Sequence, residues 1–131
     1  MADMTPIHGE LQTQIMAVIW RTGEGTVEQV RAGLPPRYRG AYTTVQTVLN
    51  RLADRGLLKR AKEGKGFVYR PKISESDYVA SSIERTLAGA SSQARQTALA
   101  QLLGGIDGGE LSDLQQLARE IEAKRKGRRR A

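Results

Sequence analysis

Residues 41–60 read AYTTVQTVLNRLADRGLLKR. Val45, Val48, Leu49 and Leu52 stand at i, i+3, i+4 and i+7, one apolar stripe on a helix of 3.6-residue period. The opposite side carries Thr43, Thr47 and Asn50, flanked by Thr44, Gln46 and Arg51. A solvated helix face normally carries Glu and Lys. Short neutral hydrogen-bonding groups suit a helix that lies against another hydrogen-bonding surface, such as base edges in a DNA major groove. The segment is therefore a candidate recognition helix. Ala41 is a poor cap, so Thr43 or Thr44 is a candidate to start it, and Gly56 is placed to end it in the left-handed conformation.

Two helices are expected before it. Residues 1–8 read as a short arm, and residues 9–21 as a helix burying Leu11, Ile15, Val18 and Ile19, with Trp20 at its end. Thr26-Val27-Glu28-Gln29 is a capping box opening a second helix that buries Val27, Val30 and Leu34. Gly33, Pro35 and Pro36 stop it. After the candidate helix, residues 57–61 and 66–70 are strand-like runs, and Lys62-Glu63-Gly64-Lys65-Gly66 supplies the turn between them. Three helices followed by a two-stranded hairpin within about 70 residues is the winged helix-turn-helix pattern, with Lys62 and Lys65 expected at the tip of the wing.

The charge is unevenly placed. From Pro36 to Arg70, nine Lys or Arg stand against Asp54 and Glu63, a net of +7. From Lys72 to Ala123, four basic residues stand against eight acidic ones, a net of −4, and Lys124 to Arg130 then adds six cations. A basic middle beside an acidic segment fits one surface meeting a polyanion while another does something else. There is no cysteine, which excludes disulfides, thiolate metal sites and cysteine nucleophiles. His8, the single histidine, is a poor basis for a metal site or a Ser/His/acid set, and no phosphate-cradling glycine loop is present, so no enzyme and no cofactor are expected. The longest apolar run, Ile15 to Trp20, has six residues, and no leader pattern precedes it; the expectation is a cytoplasmic protein without a membrane partner.

Beyond Pro71 the chain reads as three further helices. One spans about 77–88 after Ser74-Glu75-Ser76-Asp77, a second is marked by Ala94, Ala98, Leu99, Leu102 and Leu103, and the last runs from Glu110 to about Lys126 after a turn at Asp107-Gly108-Gly109. Each is short and apolar on one side, so none is stable alone. The economical arrangement is a homodimer in which Tyr78, Val79, Ile83, Leu87, Leu99, Leu102, Leu103, Leu111, Leu114, Ala118 and Ile121 pack on a second copy. Expected domains are thus a winged helix over 1–72, a helical dimerisation region over 73–126, and a disordered basic tail over 127–131.

The run TTVQTVLNRLADRGLLKRAKEGKGFVYRPKISESDY, residues 43–78, together with MAVIW at 16–20, resembles the penicillinase-repressor family, the BlaI/MecI/CopY group. The resemblance implies a mainly α homodimeric repressor with an N-terminal winged helix, a three-helix C-terminal dimerisation region and a double-stranded DNA operator with inverted TACA/TGTA-like half-sites. It also implies that the third helix enters the major groove, which falls here on Thr43, Thr44, Gln46, Thr47 and Arg51. Two departures stand out. The cysteine pairs of the copper-sensing branch are absent. Where the β-lactam branch has the Asn-Phe bond cut by a membrane sensor protease, this chain reads Ala100-Gln101, which leaves a protease of different specificity as the partner of that kind.

The expected DNA-binding set is Arg37, Arg39, Tyr42, Thr43, Thr44, Gln46, Thr47, Asn50, Arg51, Lys62 and Lys65. Tyr38 and Tyr42 suit either phosphate contact through their hydroxyls or packing across the loop, and Trp20 suits the core rather than a stacking platform. The alternative from another class is a winged helix used for protein–protein contact, against which stands the positive charge of helix and wing.

Overall fold

The computed structural model describes Ile7 and residues 9–130; the rest of the expected N-terminal arm, His8 included, lies outside the described residues. The elements are α1 (Glu10–Thr22), α2 (Val27–Gly33), a 3-10 turn (Pro36–Tyr38), α3 (Tyr42–Asp54), β1 (Leu58–Glu63), β2 (Gly66–Pro71), α4 (Glu75–Ala88), α5 (Ser92–Gly104) and α6 (Gly108–Arg130). The chain divides into two compact units, Met1–Arg85 and Thr86–Ala131. The first is a winged helix-turn-helix, as expected.

Its core is built from the stripes visible in the sequence. Ile15, Met16, Val18 and Ile19 of α1 meet Val27, Val30 and Leu34 at α2, and Val45, Val48, Leu49 and Leu52 of α3. Leu57, Leu58 and Tyr69 close the cluster from the hairpin side. Both halves of the capping box are made: the Gln29 amide donates to the Thr26 hydroxyl at 3.2 Å, and the Thr26 amide donates to the Gln29 side chain at 2.9 Å. Capping of this kind offsets the unfavourable nucleation of a helix only seven residues long.

The end of α3 sets the wing. Gly56 has φ 82°, its N–H donates to Ala53 O, and the Leu57 N–H donates to Leu52 O. This is a Schellman closure, with Leu52 and Leu57 both buried as its apolar pair. The chain leaves directly into β1, which pairs antiparallel with β2 from Leu58↔Pro71 to Glu63↔Gly66. Only Gly64 and Lys65 are left for the turn, and Gly64 takes φ 61°, as the first position of a II′ turn requires. The expected five-residue turn is therefore too long. Lys62 lies within β1 opposite Phe67, and Lys65 alone of the two lysines occupies the turn.

A third segment joins this hairpin. Gly25 pairs with Tyr69 through two backbone bonds, Gly25 N to Tyr69 O at 3.0 Å and Tyr69 N to Gly25 O at 2.9 Å. A Cβ on Gly25 would stand 3.0 Å from Val30 Cγ2, so the close approach favours glycine. Arg70 reinforces the junction, its Nη2 lying 3.2 Å from both Glu24 Oε1 and Glu63 Oε1. The hydrogen bond to Glu63 and the charge of Glu24 raise the Arg70 pKa.

The first unit continues past the expected boundary at residue 72. Trp20 Nε1 donates to Ile73 O at 3.0 Å, and its ring lies 5.7 Å from that of Tyr78. The Tyr78 hydroxyl accepts from the Ile7 amide at 2.6 Å. Tyr78, expected among the dimerising residues, is thus engaged within its own unit. Helix α4 starts at Glu75, earlier than expected, with the Ser74 hydroxyl accepting from the Asp77 amide at 3.0 Å. In α4, Val79 and Ile83 are exposed.

The described part of the second unit consists of helices joined by short turns. Ser91 caps α5 by accepting from the Ala94 amide at 3.2 Å. Asp107, expected within a turn, caps α6 instead: its Oδ1 accepts from the amides of Gly109 and Glu110 at 2.9 and 3.1 Å. Helix α6 continues as far as Arg130, so the tail expected to be disordered over 127–131 is helical up to that residue. Neither α5 nor α6 buries a residue among those described, and Leu99, Leu102, Leu103, Leu114, Leu117 and Ile121 are exposed. Leu117 belongs with the apolar set and was not expected there. Among the described residues, no helix is long and apolar enough to cross a membrane.

Burial raises the pKa of Tyr69 above its ordinary value of 10.0, outweighing the opposing charge of Arg60. The folded state then keeps this proton at a pH where the unfolded chain has lost it. Its contribution is complete below about pH 10 and is lost as pH rises through the higher folded value. Tyr69→Phe is expected to lower stability by about 0.5–1.5 kcal/mol at neutral pH, through the lost hydrogen bond to Asn50. Urea unfolding should show the gap between wild type and variant narrowing above pH 10.

Candidate nucleic-acid interface

Helix α3 turns Val45, Val48, Leu49 and Leu52 into the core and leaves Tyr42, Thr43, Thr44, Gln46, Thr47 and Arg51 exposed. The short residues form a low surface over its first two turns. Thr47 donates to Thr43 O at 2.8 Å, which leaves its hydroxyl oxygen free to accept. The N-cap is Ala41, not the threonines considered for it, and no side chain caps this end. Amide donors at the first turn of α3 are therefore open to an external acceptor, and the helix dipole there favours an anion.

The second half of the same face is closed by the wing. Asn50 Oδ1 accepts from the Tyr69 hydroxyl at 2.7 Å and from Arg60 Nη1 at 3.0 Å. Arg60 Nη2 also lies 3.5 Å from Asp54 Oδ1. Arg60 and Tyr69 stand directly opposite each other in the β1–β2 register, hence on one side of the hairpin. Lys62 and Phe67 form the next pair on that side. The amide oxygen of Asn50, a residue expected to touch DNA, is thus engaged by the hairpin. Placing the turn at Gly64-Lys65 brings Arg60 opposite Tyr69; the longer turn assumed from sequence hid this pair.

The wing and α3 enclose a cleft of about 320 Å³, lined by Tyr42 and Gln46 from α3, Thr26 to Glu28 at the start of α2, and Glu63, Lys65, Gly66, Phe67 and Tyr69 from the hairpin. Tyr42 and Phe67 are 44% and 42% exposed, so two aromatic side chains are accessible in the cleft that Gln46 also lines. The Arg60 guanidinium lies 5.9 Å from the Phe67 ring centre. Phe67 was not among the expected residues; its parity with Tyr69 along β2 is the signal that would have found it.

The loop before α3 is pinned rather than free. Arg39 Nη2 donates to Ala32 O and Leu34 O at 3.1 and 2.9 Å, which closes the carbonyl end of α2. Arg31 Nε donates to Gly40 O at 2.6 Å. The geometry gives Arg39 a positioning role ahead of the expected contact with phosphate. Arg37 is exposed, with its guanidinium carbon 4.7 Å from the Tyr38 ring centre. The Tyr38 hydroxyl donates to Glu10 Oε2 at 2.7 Å, and that bond raises its pKa, so this tyrosine takes the packing role. Among the described residues, Arg51, Lys62 and Lys65 form no ion pair. The surface therefore combines uncompensated cations with short neutral hydrogen-bonding groups, the mixture that reads both backbone and base edges of a duplex.

Comparison with known proteins agrees with this chemistry. The family model described as penicillinase repressor matches residues 8–122. The transcriptional regulator BlaI of Mycobacterium tuberculosis (strain CDC 1551 / Oshkosh) is 35% identical over 125 residues, covering 94% of this chain and 90% of the relative. The penicillinase repressor of Bacillus licheniformis is 36% identical over 74 residues, 56% of this chain and 58% of the relative. Of solved structures, the Bacillus licheniformis BlaI monomeric form in complex with the blaP half-operator is 37% identical and covers 56% of this chain and 89% of its own, with a TM-score of 0.46. A match over most of the length, on a winged helix that leaves the first half of α3 open, identifies a DNA-binding transcriptional repressor and not an enzyme: the chain belongs to the penicillinase repressor family.

Proposed function

We propose that two copies of this chain bind a palindromic DNA operator with TACA/TGTA-like half-sites, each α3 reading one half-site from the major groove. The open first half of α3 carries this reading: Thr43, Thr44, Gln46 and Thr47 are exposed and low, and Arg51 stands beside them without an ion pair. Gln46 and the threonines serve base edges, Arg51 and Lys62 serve phosphate, and Lys65 at the turn of the wing reaches the flanking backbone. Tyr42 and Arg37 contribute from the helix start and the loop. Asn50 and Arg39 hold these groups in place.

The homodimer is supported by the exposed leucines and isoleucines of α4 to α6, which a monomer leaves in water. Val79, Ile83, Leu87, Leu99, Leu102, Leu103, Leu111, Leu114, Leu117, Ala118 and Ile121 form the paired surface. Two-fold pairing also matches two half-sites to two readers. The place of action is the cytoplasm. A sensor protease that relieves repression acts at a bond other than Asn-Phe, since Ala100-Gln101 stands at that position within α5.

Footprinting across the chain's own gene neighbourhood tests the central reading; no protected site at any concentration would remove it. Gln46→Ala is expected to weaken operator binding by about 1–3 kcal/mol while leaving random duplex unaffected. Lys65→Ala should instead weaken both alike and make the slope of log K against log salt shallower by about 0.9 for each phosphate it neutralises in the wild type. Equal weakening on all sequences for Gln46→Ala would assign it to the backbone. A fragment ending at Arg85, where the first compact unit ends, should sediment as a monomer with much weaker operator affinity.

A further inference from the structure

The last two turns of α6 differ in kind from the turns before them. Up to Ala123 the helix carries Leu111, Leu114, Leu117 and Ile121 with Glu110, Asp113, Glu120 and Glu122 beside them. From Lys124 to Arg130, six of seven residues are Lys or Arg, the seventh is Gly127, and no acid or large apolar residue occurs. The segment is nonetheless helical. At about 100° per residue, Lys124, Arg125, Lys126, Arg128 and Arg129 spread over roughly 200° of the helix surface. All five are exposed.

Neither packing nor the helix dipole accounts for this arrangement. No apolar side chain remains to be buried there. The dipole is compensated by a cation or two in the last turn, since the effect fades within that turn. Lys124 and Arg128, and Arg125 and Arg129, are four residues apart, the spacing at which like charges on a helix repel. Glu122 is the nearest acid in sequence and shares a surface depression with Arg125, Lys126 and Arg129. Among the described residues, none of the five cations forms an ion pair. A helix end that repels itself and lacks an apolar face fits a partner of dense negative charge that offers no hydrocarbon. Duplex DNA carries a phosphate for about every 1.7 Å of its axis. A lipid surface holds basic helices largely through apolar side chains entering the headgroup layer, and no large apolar residue stands among Lys124–Arg130.

We infer that Lys124–Arg130 is a second DNA-phosphate surface, indifferent to sequence and carried by the other compact unit from α3 and the wing. It relies on the proposed DNA-binding function only for the choice of polyanion. It raises occupancy on operator and random duplex alike, so it steepens the salt dependence and leaves the ratio of operator to random binding unchanged.

The test uses the full chain and a full-length variant with Lys124, Arg125, Lys126, Arg128, Arg129 and Arg130 each changed to Gln, a residue that keeps helix propensity. Fluorescence anisotropy with a labelled random-sequence duplex across a salt series should show the slope of log K against log salt becoming shallower by about 2–5. Affinity at low salt should fall by at least about tenfold, while a footprinted site stays in the same place. An unchanged slope, with sedimentation and helix content also unchanged, overturns the inference. So does wild-type binding to phosphatidylserine vesicles that the variant loses while its DNA slope stays the same. Should the six-fold variant assemble differently, Arg125→Gln with Arg129→Gln carries the same test, with a slope change of about 1–2. Tail-dependent binding to random duplex without any protected site removes the operator reading and leaves this one standing. A protected site with a tail-independent slope does the reverse.

Discussion

The Tyr69 hydroxyl donates to the amide oxygen of Asn50 at 2.7 Å, and most of the winged unit is arranged around that bond. Tyr69 is buried in the core, its backbone pairs with Gly25, and its cross-strand neighbour Arg60 reaches the same Asn50 oxygen. One residue, through its backbone and its side chain, therefore joins the turn before α2, the hairpin and α3. A hydroxyl so enclosed is costly without a partner, which ties the angle of the wing to the rotation of the helix. The first half of α3 remains open because the second half is occupied in this way.

The same economy appears in the charged residues. Arg70, Arg60 and Arg39 look interchangeable with Arg37, Arg51 and Lys65 in composition, yet the first three hold the backbone or carboxylates of their own chain. The last three, on α3 and the loops around it, meet no carboxylate among the described residues. A net charge of +7 over 36–70 thus overstates what is available to an external anion. The positioning cations set where the remaining ones stand, and rigid placement of a few contacts serves recognition better than a larger number of loose ones.

Features governed by neighbours in sequence were legible in advance. The Thr26–Gln29 box, the apolar stripe of α3 and the left-handed Gly56 each depend on residues within one turn, and each forms as expected. Features governed by distant partners were not. Gly25 gives no local sign that it will pair with Tyr69, and Asn50 reads as an exposed polar residue until the register puts Arg60 and Tyr69 beside it. Asp107-Gly108-Gly109 has turn composition, but the carboxylate binds the two amides ahead and starts a helix. The boundary at residue 72 missed the Trp20 contacts with Ile73 and Tyr78 for the same reason.

The exposed leucines of α5 and α6 also bear on how such a repressor responds to its own abundance. Helices with their apolar sides in water gain stability from association, and association depends on concentration. Under the pairing proposed above, and well below its dissociation constant, the amount of paired chain grows as the square of the total. Halving the supply then cuts the paired chain about fourfold. Modest dilution or turnover alone would lower the paired fraction in that case, without any ligand acting on the winged unit.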